Sequence, residues 1–411
     1  MSTYSFPHNQ TLDALNIASG DSAYSFIISA CSNGLGAAEI QLTTSTSPYN
    51  YTLGLPYSID AAGASTTALA FLPGPVTPST TIPLYFLGGT AANHLQLFSL
   101  TPTASGSSFA ASNVSASTTL GGPFDTVISA ILYVPSLATV YVAGENGNLY
   151  SYSVTWNGSA PTLTYEHTNN SYSASSPGIV SLAISSDNSS LYVTGISNGS
   201  QIGSFMFDAV AASAGALGTG TLIANTVDSV STALSATGSY TATATSLVYH
   251  AFGTEATSGT TVWTPTDQIM TALAWSANPN NVANGQFVNG GLFIGTFQTA
   301  TGESNTQPGS IYTYDPATGN PPTASIAYNT TWGAPYSLLA DANLNLLVNS
   351  GSTGLYLYSV ANAGASSLPE SAELIPYNVG STGISDLKQL ETVAKLAFKE
   401  YKEYEGSATD V

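Results

Sequence analysis

The chain has 411 residues, of which 43% are hydrophobic, 10% aromatic and only 7% charged, and its formal net charge is −19. All four basic residues are lysines near the C-terminus (Lys388, Lys395, Lys399 and Lys402), which leaves 18 of the 23 carboxylates and no permanent cation in residues 1–387. Nucleic acid and anionic membrane surfaces are held through Lys and Arg, so both are excluded as partners, as is any Arg fork on a carboxylate or phosphate.

Aromatic and β-branched residues are too plentiful for a disordered chain. Ser and Thr together number 108, which suits β-structure with hydroxyl-rich faces. A surface without Lys or Arg resists proteases that cut after them. It also carries little charge in acid, where carboxylates are largely neutralised. Both readings place the protein outside the cytoplasm, secreted or at a cell surface, and compositional drift is the plain alternative. No signal peptide is visible at Met1, and a secreted chain would have lost its leader. No apolar run approaches 18 residues, so membrane insertion is not expected. The single cysteine, Cys31, rules out an internal disulfide and reads as a small buried hydrophobe.

In chain order, residues 1–11 read as an N-terminal extension. A hairpin unit then recurs, starting near residues 12, 67, 129, 181, 231, 271 and 337. Its clearest copy, SLAISSDNSSLYVTG (181–195), is a short apolar run, a polar corner at Ser186-Asp187-Asn188, and a β-branched and aromatic run ending at Gly195. The copy at 129–154 adds Asn-Gly and a third strand, the copy at 67–100 carries a Pro-rich insertion, and the copy at 231–252 is degenerate. Such hairpins cannot bury both faces alone. Spacings of about 40 to 66 residues suit four-stranded blades with loop insertions. The expected fold is therefore all-β, a seven-bladed β-propeller over residues 12–380. Two β-sandwiches in series, at 10–200 and 201–380, are the rival, with Ala211 to Gly220 as their linker.

The corner followed by Leu-Tyr-Val resembles the seven-bladed lactonase-like and YVTN-repeat propellers, on SSDNSSLYVTG (185–195) and PSLATVYVAG (135–144). The resemblance implies architecture far better than chemistry, since that group includes sugar-lactone hydrolases, muconate cyclases and noncatalytic surface proteins. Its enzymes use Arg and His in the channel, and no position here can supply the Arg.

Among the histidines, His94 and His250 fall in strand-like runs as half-buried packing residues, while His8 and His167 read as loop residues. No pair has zinc spacing. One constellation emerges when the blades are aligned on Ile131, Leu182, Leu234 and Leu273. Six residues earlier stand Asp125, Ser176, Asp228 and Asp267, and Trp332 stands six before Leu338. Equal offsets predict that Asp125, Asp228, Asp267 and Trp332 share one channel mouth. Such a ring could hold Ca²⁺, the one cofactor considered, or a neutral carbohydrate stacked on the Trp face. Alternatively, each Asp only caps a turn.

Eight N-glycosylation sequons occur, at Asn9, Asn50, Asn113, Asn157, Asn169, Asn188, Asn198 and Asn329. About seven would arise by chance in so hydroxyl-rich a chain, so their number decides nothing.

From Ser385 the composition changes. Ser385 as N-cap, Gly406 as stop and a stripe of Leu387, Leu390, Ala394, Ala397, Tyr401 and Tyr404 predict one amphipathic helix over 385–405. It would dock a partner, oligomerise, fold back on the body, or be an appended segment. The functional expectation is a noncatalytic binding or structural surface module, with another surface protein or a carbohydrate as partner. A lactonase-like hydrolase or cyclase on a neutral substrate and a self-assembling wall or fibre component are the alternatives.

Overall fold

The structure, a computed structural model, describes residues 11–375 apart from intervening segments, which include 170–177, 196–203, 225–228, 267, 277–289, 299–308 and 327–334. Through residue 66, and over 345–375, it describes backbone only. The expected N-terminal extension (all but Thr11) and the helix at 385–405 lie outside the described residues.

Among the described residues the chain forms seven antiparallel sheets, six of four strands and a first one of five. The six four-stranded sheets each take their strands in sequence order; the third, for example, is Ile128–Val134, Thr139–Gly144, Leu149–Asn157 and Ala160–Asn169. The first strands of successive sheets touch in a closed circuit. Thr11–Ser19 meets Thr66–Leu72, the contacts pass round through Ile128–Val134, Ile179–Ile184, Ser229–Leu234 and Gln268–Ser276, and Ser337–Ala340 meets Thr11–Ser19 again. This is a β-propeller. The two-sandwich alternative fails, because no break interrupts the circuit. The stretch considered as a linker instead holds a short helix, Ala209–Ser213, within the fourth sheet. Asp208 caps it by accepting from Ala211 N at 2.8 Å.

The core lies between the sheets, face against face. Leu87, Leu95, Ile128, Val142, Tyr150 and Tyr152 fill the space between the second and third sheets. Tyr141, Leu149, Leu191, Val193 and Phe207 fill the next. Second strands are enclosed on both sides: every residue of Thr139–Gly144 and Gly238–Thr243 is buried. That explains why TVYVAG and LYVTG read as continuous runs instead of alternating. Outer strands such as Ala160–Asn169 alternate with solvent.

The first strands carry a device that the sequence did not reveal. In five sheets the register shifts by one residue near the strand start, making a bulge at Thr67, Ser129, Val180, Val230 and Thr271. Where the bulged residue has a hydroxyl, it donates across to the next sheet. Thr67 Oγ1 donates to the Ile128 carbonyl, Ser129 Oγ to that of Ile179, and Thr271 Oγ1 to that of Pro335. The two remaining interfaces in that series use other hydroxyls: Thr194 with Thr232 at 2.7 Å, and Leu273 N donating to Ser231 Oγ at 3.2 Å. Five successive sheet junctions are thus tied by a Ser or Thr, each bond contributing about 1 kcal/mol.

Candidate functional site

The bulges also set the alignment of the sheets. Ile131 faces Val142, Leu182 faces Val193, and Leu273 faces Ile294, each two residues beyond the bulge. In the fifth sheet the residue in that place is Thr232, facing Thr241, and not Leu234. A hydroxyl stands there in place of the expected Leu, and this displaced the sequence alignment by two. Leu234 therefore does not hold the register of Ile131, Leu182 and Leu273, and it is from Leu234 that the offset of Asp228 is counted. That corrects the alignment of the fifth sheet on Leu234. Asp267 keeps its offset from Leu273, but Asp228, Asp267 and Trp332 lie outside the described residues.

Asp125 is described, and it is exposed on the chain leading into Ile128–Val134. Its Oδ1 accepts from Asn146 Nδ2 at 2.7 Å and from the Tyr150 hydroxyl at 3.3 Å. Asn148 Nδ2 donates to that same hydroxyl at 3.3 Å, and Asn148 N donates to Asn146 Oδ1 at 3.0 Å. The capping alternative foresaw a carboxylate on local backbone N–H groups. Its partners are side chains, Asn146 from the turn between the second and third strands and Tyr150 from the third strand. Glu145 N closes on the Val127 carbonyl at 3.0 Å, so the incoming chain and this turn form one rim. Phe124 supports it from below, its ring edge-on to Tyr150 with centroids 4.9 Å apart. Burial pushes the Tyr150 hydroxyl above its ordinary pKa, opposed by the amides of Asn148 and Asn146. Tyr150 is therefore a neutral donor at physiological pH. The rim offers a carboxylate, amides and a phenol, a set suited to hydrogen bonding.

Among the described residues, no three His, Cys, Asp or Glu side chains gather as a metal-binding group, and no helix is long and apolar enough to cross a membrane. The histidines are redistributed relative to expectation. His94 is exposed just before the strand Leu95–Pro102, and His167 is an exposed member of Ala160–Asn169 rather than a loop residue. His250 is buried, at 3% exposure. Cys31 ends the strand Ser22–Cys31.

The sequons divide where the structure describes them. Asn157 is exposed, Asn188 is half-buried at φ 59, and Asn169 is 4% exposed with its Nδ2 donating to the Ala212 carbonyl at 3.3 Å. Asn169 thus packs against the helix Ala209–Ser213, and a glycan on it would displace that contact. Asn113 lies in the strand Phe109–Leu120, and Asn9, Asn50, Asn198 and Asn329 are outside the described residues.

No protein-family model matches the chain, and no curated protein matches it. Among solved structures, 572 chains match, too broad a set for the likeness to specify chemistry. The extracellular domain of a hybrid two-component system from B. thetaiotaomicron matches with a TM-score of 0.50 at 14% identity, over 86% of this chain and 38% of that one. The chain thus spans well under half the length of that relative. Sqt1 from Saccharomyces cerevisiae matches with a TM-score of 0.47 at 11% identity, over 92% of this chain and 90% of that one. Sqt1 from Chaetomium thermophilum gives 0.46 at 14%, over 85% and 81%. What the likeness to the B. thetaiotaomicron domain supports is the fold, a β-propeller.

Proposed function

We propose that this chain is a seven-bladed β-propeller, with hairpins of the lactonase-like or YVTN type, that works outside the cytoplasm as a noncatalytic binding or structural surface module. The observation that carries this reading is the wall of the ring. Six of the seven first strands, Thr66–Leu72, Ile128–Val134, Ile179–Ile184, Ser229–Leu234, Gln268–Ser276 and Ser337–Ala340, contain no Asp, Glu, His, Cys, Lys or Arg. The seventh, Thr11–Ser19, contributes Asp13 alone. A hydrolase needs a base and an electrophile facing each other, and these strands carry apolar, hydroxyl and amide side chains with Asp13 as their one carboxylate. Function then belongs to the rims. The partner in this proposal is another surface protein, whose contacting face carries the cations that residues 1–387 lack.

The test is made on the full chain. Its expected outcome is no turnover of neutral lactones above background, and capture of a basic surface protein that Asp125→Asn weakens and rising salt weakens further. Lactone turnover abolished by Asp125→Asn or Asp267→Asn would overturn the noncatalytic reading. Saturable binding of a neutral oligosaccharide instead of a protein would overturn the choice of partner. A melting temperature lowered by chelator would bring Ca²⁺ into the rim in place of the partner's cations.

A further inference from the structure

We infer that Asn157 is a glycan acceptor, and that its glycan stands on the rim opposite Asp125, leaving the Asp125 rim free for a partner. The inference rests on the proposed location outside the cytoplasm. Its first support is the placement of the sequon. Asn157, Gly158 and Ser159 make the tip of the hairpin joining the third and fourth strands of the third sheet, with Asn157 paired to Ala160. Gly158 takes φ 65, which turns the chain tightly. A Cβ built on Gly158 would meet nothing within 4 Å, so the chain beside Asn157 faces open space, while Ser159 shares a hollow with Pro73 and Val76 beside the second sheet. Asn157 is itself exposed, and no hydrogen bond is found on its amide among the described residues.

The second support is contrast. Asn169 belongs to the same strand pair and carries the same motif, yet it is buried and bonded to Ala212. Asn188 sits inside a closed corner, its N–H donating to the Ser185 carbonyl at 2.8 Å, while the N–H of its sequon partner Ser190 donates to Ser185 Oγ at 2.9 Å. Of these three, only Asn157 is exposed, Asn188 being half-buried in its corner and Asn169 buried.

The third support is the direction of the strands. Asn157 ends its strand beside the corner Pro135–Leu137, whereas Asn146, which binds Asp125, lies beyond the other end of the sheet. The two rims are separated by the length of a strand.

In the reaction, the Asn157 amide nitrogen attacks the anomeric carbon of a polyprenyl-diphosphate-linked oligosaccharide. The carbon–oxygen bond to the diphosphate breaks, the polyprenyl diphosphate leaves with the electron pair, and the amide proton passes to a base of the transferase.

The experiment secretes the full chain through a glycosylating export route, with a short acceptor sequon appended after Val411. Glycopeptides are read by the Asn-to-Asp mass signature left by a glycan-releasing amidase. The expected result is occupancy at Asn157 and at the appended sequon, with Asn169 bare in the folded fraction. Asn157→Gln and Ser159→Ala should each lose the same single glycan and keep a cooperative melt. An occupied appended sequon beside a bare Asn157 would overturn the inference, as would a folded fraction glycosylated at Asn169. Because the route imposes an outside location, material from the native source found bare would fault the proposed location and not the site.

Discussion

Tyr141 in the third sheet and Tyr240 in the fifth occupy the same place in their strands, yet they are held by different forces. Each lies on a second strand, facing the residue after the aligned position, Leu132 in one sheet and Ala233 in the other. Tyr141 donates its hydroxyl to the Ala209 carbonyl at 2.5 Å, tying the third sheet to the helix of the fourth. Tyr240 lies flat against Trp275 of the sixth sheet, with centroids 5.8 Å apart and planes at 11°, and edge-on to Tyr314 at 6.0 Å. The junction after the third sheet is closed by directional bonds, with Ser129 and Asn169 adding two more to carbonyls. The junction after the fifth keeps one such bond, from Leu273 N to Ser231 Oγ, but is closed mainly by ring area, and a Val occupies its bulge. One repeat can therefore keep its backbone register while exchanging polar ties for aromatic contact.

The largest test truncates both rings. Tyr141→Ala and Tyr240→Ala should each cost about 3–5 kcal/mol, because each opens a ring-sized cavity in a closed interface. The Phe substitutions separate them. Tyr141→Phe leaves the Ala209 carbonyl without its donor and should cost about 1–2 kcal/mol, while Tyr240→Phe keeps the stack and should stay within about 0.5 kcal/mol of the parent. Denaturant melts of the four variants measure this, and equal losses for the two Phe variants would erase the distinction. The tyrosine ionisation should agree in sign. Burial first, and then Asp208, raise Tyr141 to about 12, opposed by a bond from Ser213. A raised folded pKa gives stability that is present below the ordinary value of 10 and is lost as pH climbs through about 12.

A smaller effect is expected at the bulge. Ser129→Ala removes the donor to Ile179 and should cost about 1–2 kcal/mol. Val230→Thr places a hydroxyl in the equivalent position of the fifth sheet, within the same bulge geometry. If the bulge itself aims the hydroxyl, the new group finds the first-strand carbonyl of the sixth sheet, and stability stays within about 1 kcal/mol of the parent. If it does not, a buried hydroxyl without a partner should cost about 1–3 kcal/mol.

These ties also mark the limit of what the sequence discloses. The hairpins were legible because a corner rich in Ser, Asp and Asn between two apolar runs has a local cause, turn chemistry, that the residues carry themselves. The bulges were not, since a one-residue register shift leaves no mark on composition. Thr67, Ser129 and Thr271 are three hydroxyls among 108, and only their carbonyl partners, some 60 positions away in two cases, distinguish them. The misalignment at Leu234 has the same origin. Leu234 looked like the aligned hydrophobe because Thr232, bonded to Thr194 and Thr241, takes a place that Ile131, Leu182 and Leu273 fill elsewhere. Asp125 was found by its offset, but its partners Asn146 and Tyr150 are brought to it by the second and third strands, which no reading of its own neighbours could supply.

The smallest expected effect compares the two corners that stand in the same relation to these sheets. In the fourth sheet Asp187 closes the corner, accepting from Ser185 Oγ at 2.5 Å, Ser189 N at 3.1 Å and Ser189 Oγ at 2.9 Å. In the fifth, Ser235 does the equivalent work without a carboxylate, accepting from Thr237 N at 3.2 Å and Gly238 N at 3.0 Å and donating to the Gly238 carbonyl at 2.9 Å. The Ser185 hydroxyl first, and then the Ser189 N–H and hydroxyl, hold the Asp187 carboxyl below its ordinary value of 3.8. A depressed folded pKa gives stability that is present above that ordinary value and is lost as pH falls through the lower folded one. Protection of the Ser189 amide against hydrogen exchange should therefore weaken in strong acid, while that of Gly238 keeps its value relative to the global unfolding limit. Asp187→Asn keeps an acceptor oxygen in the corner and should remove the acid dependence at Ser189. Parallel loss of protection at Ser189 and Gly238 would show that the ring responds to acid as a whole, and that the carboxylate adds nothing to what a serine corner provides.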